Sequence, residues 1–227
     1  MPTDTEPAGG AAALLMVADG RFPSGSYAHS GGLESAVRHG WVRDLADLEG
    51  FLLGRAATTG LMNASFAAAA HGCAGAPSLL ALDAELLART PSPALRRVGV
   101  DLGRMLLRAA QRICPHPVLD EAPPQLQQPL VYGLVARAVG APARAAAAAV
   151  LHETVTGPAT AAVKLMHVDP FTTHRAVLRL APRLDDLADR AVLAARGDPA
   201  DLPSPGAPLS DVAAEQHRDL DARLFAS

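Results

Sequence analysis

The sequence predicts an all-α protein, a single-domain compact bundle of about eight to ten helices. Three observations carry this. Aromatic residues make up only 4% of the chain against a hydrophobic content of 49% that alanine and leucine dominate. That mixture favours helices, because strands select β-branched and aromatic side chains. Apolar residues recur at helical spacing along several stretches, and no run alternates convincingly with period two.

Taken in order, residues 1–9 read as a disordered lead, acidic and rich in proline and glycine. Ala11–Ala18 is a short apolar helix ended by Asp19-Gly20. The stretch Arg21–Gly32 is turn-rich, and Leu33–His39 is a short helix closed by Gly40. Asp44 is the N-cap of the next helix, with Asp47 well placed against its dipole. Leu45, Leu48, Leu52 and Ala56 keep helical spacing there, and the helix runs to about His71. Leu79–Arg89 and Leu95–Ile113 come next; in the latter Leu102, Leu106, Ala109 and Ile113 form one stripe, with Arg96, Arg97, Arg104, Arg108 and Arg112 mostly off it.

A proline-rich connection, Cys114–Pro129, separates two halves. Leu130–Val139 and Ala143–Val155 make a helical pair joined at Gly140-Ala141-Pro142, and Gly157-Pro158 is expected to break or kink the chain beyond Val155. Asp169-Pro170 is an N-cap with proline at the first helical position. Val177, Leu180, Leu184, Leu187 and Ala191 then hold the helical period, with Pro182 as a break. The domain organisation is therefore a lead over 1–9, a helical domain over 10–197, and a proline-rich linker with a C-terminal docking tail over 198–227.

Several function classes are excluded or weakened. A formal charge of −3 gives no support for a nucleic-acid binder. No apolar stretch approaches the ~20 residues of a membrane span, and the N-terminus lacks the basic start and apolar run of a signal peptide. A cytoplasmic address is the default expectation. Two cysteines, Cys73 and Cys114, make no disulfide framework.

The conspicuous local feature is Phe22–Glu34. As a phosphate cradle it fails, because Leu33-Glu34 stands where a P-loop needs Gly-Lys-Ser/Thr. Ala28-His29-Ser30-Gly31-Gly32 fits a relaxed nucleophile elbow, which makes a serine hydrolase using Ser30 one alternative. An elbow needs a strand leading into the serine, and residues 20–27 are poor strand material. His71-Gly72-Cys73 and Cys114-Pro115-His116 each offer a thiolate and an imidazole to a soft or borderline metal, nickel included, which makes a direct metal-binding carrier a second alternative. Neither pair has the spacing of a structural zinc site, and His152, His167 and His174 are scattered. The chain's last residues are polar and end in an Arg-Leu-Phe group that is unlike core; docking would stabilise it, on its own domain or on a partner, and the sequence leaves both open.

Two segments together carry a resemblance. Phe22-Pro23-Ser24-Gly25-Ser26-Tyr27-Ala28-His29-Ser30-Gly31-Gly32-Leu33-Glu34 resembles the N-terminal F-P-x-G-[SG]-[FY]-x-[HY]-S-x-G-L-E motif of the UreF urease accessory proteins. His217 and Arg223-Leu224-Phe225-Ala226-Ser227 resemble the family's closing H-E-x-x-Y-S-R-L-[FY]-x-S, and Tyr132–Ala136 with Gly140 is similar to its Y-G-[LV]-[LFV]-A stretch. The tail departs from that pattern at Arg218, Asp221 and Ala222.

The resemblance implies an all-helical urease maturation factor that is not an enzyme and holds no cofactor or metal of its own. It implies a scaffold that binds UreD (also called UreH) and the GTPase UreG, forms a homodimer, and supports nickel insertion into apo-urease. The partner-binding residues it implies are Phe22, Pro23, Gly25, Tyr27, His29, Ser30, Gly31, Leu33 and Glu34 of the motif with His217, Arg218, Arg223, Leu224 and Phe225 of the tail. Among them, Tyr27 and Arg223 are implied to lie together.

Overall fold

Helix caps decide where most elements begin. In the computed structural model, which describes residues 10–218 and 224–226, the Asp44 carboxylate accepts from the Asp47 amide at 2.9 Å. Asp169 does the same for Thr172 at 2.9 Å, and the Ser92 hydroxyl accepts from Leu95 at 3.2 Å. Each side chain satisfies one of the amide donors that a helix start leaves over. The lead over 1–9 lies outside the described residues.

The helices are α1 (Gly10–Val17), α2 (Leu33–Arg38), α3 (Leu45–Arg55), α4 (Leu61–His71), α5 (Ala76–Ala88), α6 (Pro93–Ile113), α7 (Pro117–Asp120), α8 (Gln128–Ala138), α9 (Ala143–Leu165), α10 (Pro170–Ala194) and α11 (Pro208–Arg218). All but the single turn α7 are six residues or longer, and no strand occurs among the described residues. The protein is all-α, as the sequence predicts. No helix is long and apolar enough to cross a membrane among the described residues.

Small residues set how closely the central helices approach. α4, α8, α9 and α10 pack on one another, and α6 covers α8. At the α4–α8 crossing a Cβ added to Gly133 would sit 2.3 Å from the Ala67 carbonyl oxygen, so only glycine fits. Ala67, Ala70, Ala146, Ala147, Ala162 and Ala188 lie fully buried in the same core. The two halves flanking 114–129 therefore share one hydrophobic core.

Three expectations are corrected. Pro158 neither breaks nor ends α9, which continues to Leu165 with the proline buried inside it. Pro182 likewise lies within α10, on its exposed side. Proline costs ~3 kcal/mol in a helix interior; tertiary burial offsets it at Pro158, and exposure leaves the freed carbonyl to water at Pro182. The apolar stripe of α6 is rotated from the expected one: Leu102, Gly103, Leu106, Leu107 and Ala110 are buried, whereas Ile113 is exposed.

One irregularity has no counterpart in the sequence pattern. α3 passes into α4 through a π-helical stretch, Ala56–Gly60, facing α9. Gly60 is confined there by the Arg55 carbonyl, Thr154 and Leu151.

Candidate functional site

The Phe22–Glu34 motif folds as a chain of tight turns between α1 and α2. Gly25, Gly31 and Gly32 adopt φ of 81°, 60° and 87°, the left-handed region that other residues enter at a cost. Phe22 and Leu33 anchor the two ends in the core, while Pro23 is exposed. Ser26–Ala28 makes a single 3₁₀ turn that presents Tyr27 to solvent, 73% exposed. His29 is half-buried, and Ser30 is fully buried with its hydroxyl accepting from the Glu34 amide at 3.3 Å.

Glu34, only 2% exposed, joins this motif to the end of the chain. Its Oε1 accepts from the Leu224 amide at 3.0 Å. Its Oε2 accepts from the Phe225 amide at 3.1 Å and faces the His217 Nε2 at 3.2 Å. Beside it, the Ala226 amide donates to the Ala28 carbonyl at 2.7 Å. The Ser35 hydroxyl donates to the Ala213 carbonyl of α11 at 3.2 Å. α11 is fixed at its other side by Glu215, which accepts from the Ser92 hydroxyl at 2.5 Å and from the Ala94 amide at 2.8 Å. The tail therefore docks on its own chain, with Phe225 packed against the core and Leu224 exposed.

The electrostatics derive from that arrangement. Burial alone would raise the Glu34 carboxyl, but the Leu224 amide, the His217 imidazole and the Phe225 amide outweigh it and hold it below its ordinary value. Burial lowers the His29 imidazole, and the neighbouring His217 adds to this while Asp101 opposes it. Of the residues the sequence assigns, the structure brings together Glu34, His217, Leu224 and Phe225. The described part of Arg218 is its backbone at the end of α11, and Arg223 lies outside the described residues, so its pairing with Tyr27 does too.

The alternative chemistries find little geometry. No strand leads into the buried Ser30, as a nucleophile elbow requires. The Cys73 thiol points at the Ala69 carbonyl, His71 at the Ala141 carbonyl, and His116 caps α7. Burial raises both cysteine thiols. No group of three metal-ligating side chains converges among the described residues.

Sequence reasoning missed a second feature beneath the motif. A cavity of about 210 Å³ lies there, lined by Arg55, Tyr132 and Glu153 among others. Only the glycine-rich turn hinted at it: a Cβ on Gly31 would meet Pro158 Cγ at 3.0 Å and Arg55 Nη2 at 3.1 Å.

Comparison with known proteins places relatives beside this geometry. The UreF family model matches residues 42–181, between the motif and the tail. The chain is 41% identical to a urease accessory protein UreF from Mycobacterium sp. (strain JLS), over 94% of this chain and 97% of that one. It is 40% identical to the protein of that name from Mycolicibacterium vanbaalenii, over 95% and 98% of the two chains. The corresponding Mycobacterium tuberculosis (strain ATCC 25618 / H37Rv) protein is 37% identical, again over 95% and 98%.

Proposed function

The chain belongs to the UreF family of urease accessory proteins, and from that premise we propose that it serves urease maturation as a non-catalytic scaffold. The scaffold binds UreD/UreH and the GTPase UreG as a homodimer in the cytoplasm and supports nickel insertion into apo-urease. The motif and the tail form its docking surface, with Tyr27 and Leu224 as exposed apolar contacts and Arg218 and Arg223 contributing charge.

The observation that supports this reading is the Glu34 hub. Three donors from the tail converge on one carboxylate of the motif, and the Ala226–Ala28 bond fixes Leu224 and Tyr27 on neighbouring segments. A buried carboxylate spent on backbone amides builds shape rather than chemistry. The exposed aromatic and aliphatic side chains beside it are of the kind that anchor partners.

Co-expression of the tagged chain with UreD-like, UreG-like and urease subunits tests the assignment. The full chain is expected to co-purify with all of them and the chain truncated at residue 217 to lose them. Full assembly by the truncated chain would remove the tail from the docking surface. Failure of the full chain to co-purify with any of them would reject the scaffold.

A further inference from the structure

We propose that the cavity beneath the motif is a binding site for a small organic carboxylate, received by the Arg55 guanidinium. The proposal rests on the cavity alone and is independent of the partners assigned above.

Arg55 ends α3, at the turn where the π-helical stretch begins. Its Nε is sealed from solvent without a hydrogen-bond acceptor, and no ion pair links it to a carboxylate among the described residues. The Phe51 ring centroid lies 5.9 Å from the guanidinium carbon. Burial brings the guanidinium down to about 10, so it stays charged at neutral pH. A sequestered charge without a counter-charge is expensive to keep.

The described residues do not supply the missing anion. Among the described residues, Glu153 is the one acidic side chain lining the cavity, and it is taken up by other donors. Gln128 Nε2 lies 3.3 Å from both of its oxygens. Burial holds Glu153 above its ordinary value in spite of hydrogen bonds from Ser26, Tyr132 and Gln128.

The surroundings hold the guanidinium open to a ligand. Gly31, in its left-handed conformation, faces Arg55 from one side so closely that an added Cβ would lie 3.1 Å from Nη2. A π-helical stretch follows Arg55 directly, and such stretches concentrate at functional sites. Arg55 is only partly buried as a residue, which leaves a route in.

The fork of a guanidinium matches the two oxygens of a carboxylate. Apolar surface makes up the larger share of the wall, with Leu95, Val98 and Leu102 among its members, and polar side chains such as Asn63 and Thr154 are set into it. That apolar surface suits the hydrocarbon body of an organic acid, which an inorganic oxyanion lacks.

Titration of the purified full-length protein with sodium butyrate, acetate and phosphate, each matched in ionic strength with sodium chloride, tests this. Melting temperature and the Arg55 Nε–Hε resonance are the readouts. Butyrate is expected to give a saturable rise in melting temperature and a saturable shift of that resonance, both stronger than acetate gives. Phosphate is expected to behave as chloride does.

Arg55→Gln is expected to weaken butyrate binding about tenfold or more, and Arg144→Gln, on the surface, to leave it unchanged. Where Arg55→Gln does not fold, Arg55→Lys keeps the charge without the fork and is expected to bind more weakly than wild type. Absence of a saturable butyrate response in the wild-type protein overturns the proposal. An equal response in the Arg55 variant overturns it too, and a preference for phosphate overturns the ligand class.

Discussion

Glu34 and His217, 183 positions apart, meet at 3.2 Å between Oε2 and Nε2 with both side chains buried. The same carboxylate receives the Leu224 and Phe225 amides, so one residue of α2 holds the chain end. Glu34→Gln keeps the size of the side chain but turns one acceptor oxygen into an NH₂ group facing donors. Lost hydrogen bonds to a charged group are worth about 1.5–3 kcal/mol each. Amide exchange at Leu224 and Phe225 is expected to accelerate at least about tenfold, while exchange in α4 and α8 stays slow. Unchanged protection at the two tail amides would show that the docking does not depend on the carboxylate.

Acid should release the tail before it unfolds the bundle. Glu34 titrates below its ordinary value of 4.5 in the folded chain. Its contribution is therefore fully present above the unfolded value and is lost as pH falls through the folded one. His29, lowered from 6.5 chiefly by burial and then by His217, adds an earlier loss: stability declines as pH drops below 6.5, because the unfolded imidazole takes a proton first. Tail amide chemical shifts followed from pH 7.5 to 3.5 are expected to hold down to about the ordinary carboxylate range and then move. His29→Gln is expected to flatten the upper part of the stability profile and Glu34→Gln the lower part. A tail that detaches as pH rises would contradict the assignment.

Gly31 and Gly32 separate backbone strain from contact. Both have positive φ, 60° and 87°, so alanine at either is strained by about 1–2 kcal/mol. Only at Gly31 would the new methyl also press on Pro158 and Arg55; at Gly32 it meets open space. Gly31→Ala is expected to lower the melting temperature more than Gly32→Ala does. Equal losses would mean that the turn tolerates the contact.

Local rules made much of this fold legible, because a cap or a glycine acts within a few residues of itself. Asp44, Asp169 and Gly40 do what their neighbours in sequence imply. Pro158 and Pro182 failed as breakers because helix interruption competes with tertiary packing and hydration, neither of which a local pattern contains. The α6 stripe came out rotated because the face a helix buries is chosen by its neighbours, here α8. At the site, the motif announced itself by composition, but the acceptor role of Glu34 needed the fold to bring the tail back. Arg55 gave no sequence signal at all: a single arginine in a run of small residues looks like surface until its surroundings are seen.

The cap of α6 comes in part from another helix, which makes it testable by coupling. The Ser92 hydroxyl accepts from Leu95 and donates to Glu215, and Glu215 also accepts from the Ala94 amide. A carboxylate at a helix start interacts favourably with the dipole as well as with the free amides. Ser92→Ala removes the local cap, worth ~1 kcal/mol, and one of the Glu215 contacts. Glu215→Ala removes its two contacts with the start of α6 but leaves the Ser92–Leu95 bond. The two losses are therefore expected to overlap, with the double variant less destabilised than the sum by about 0.5 kcal/mol or more in urea unfolding. Strict additivity would mean that the Ser92–Glu215 hydrogen bond contributes nothing to the cap. If instead Glu215→Ala also accelerates exchange at Leu224 and Phe225, then α11 transmits its anchorage to the tail through His217, and the two ends of the docking surface behave as one unit.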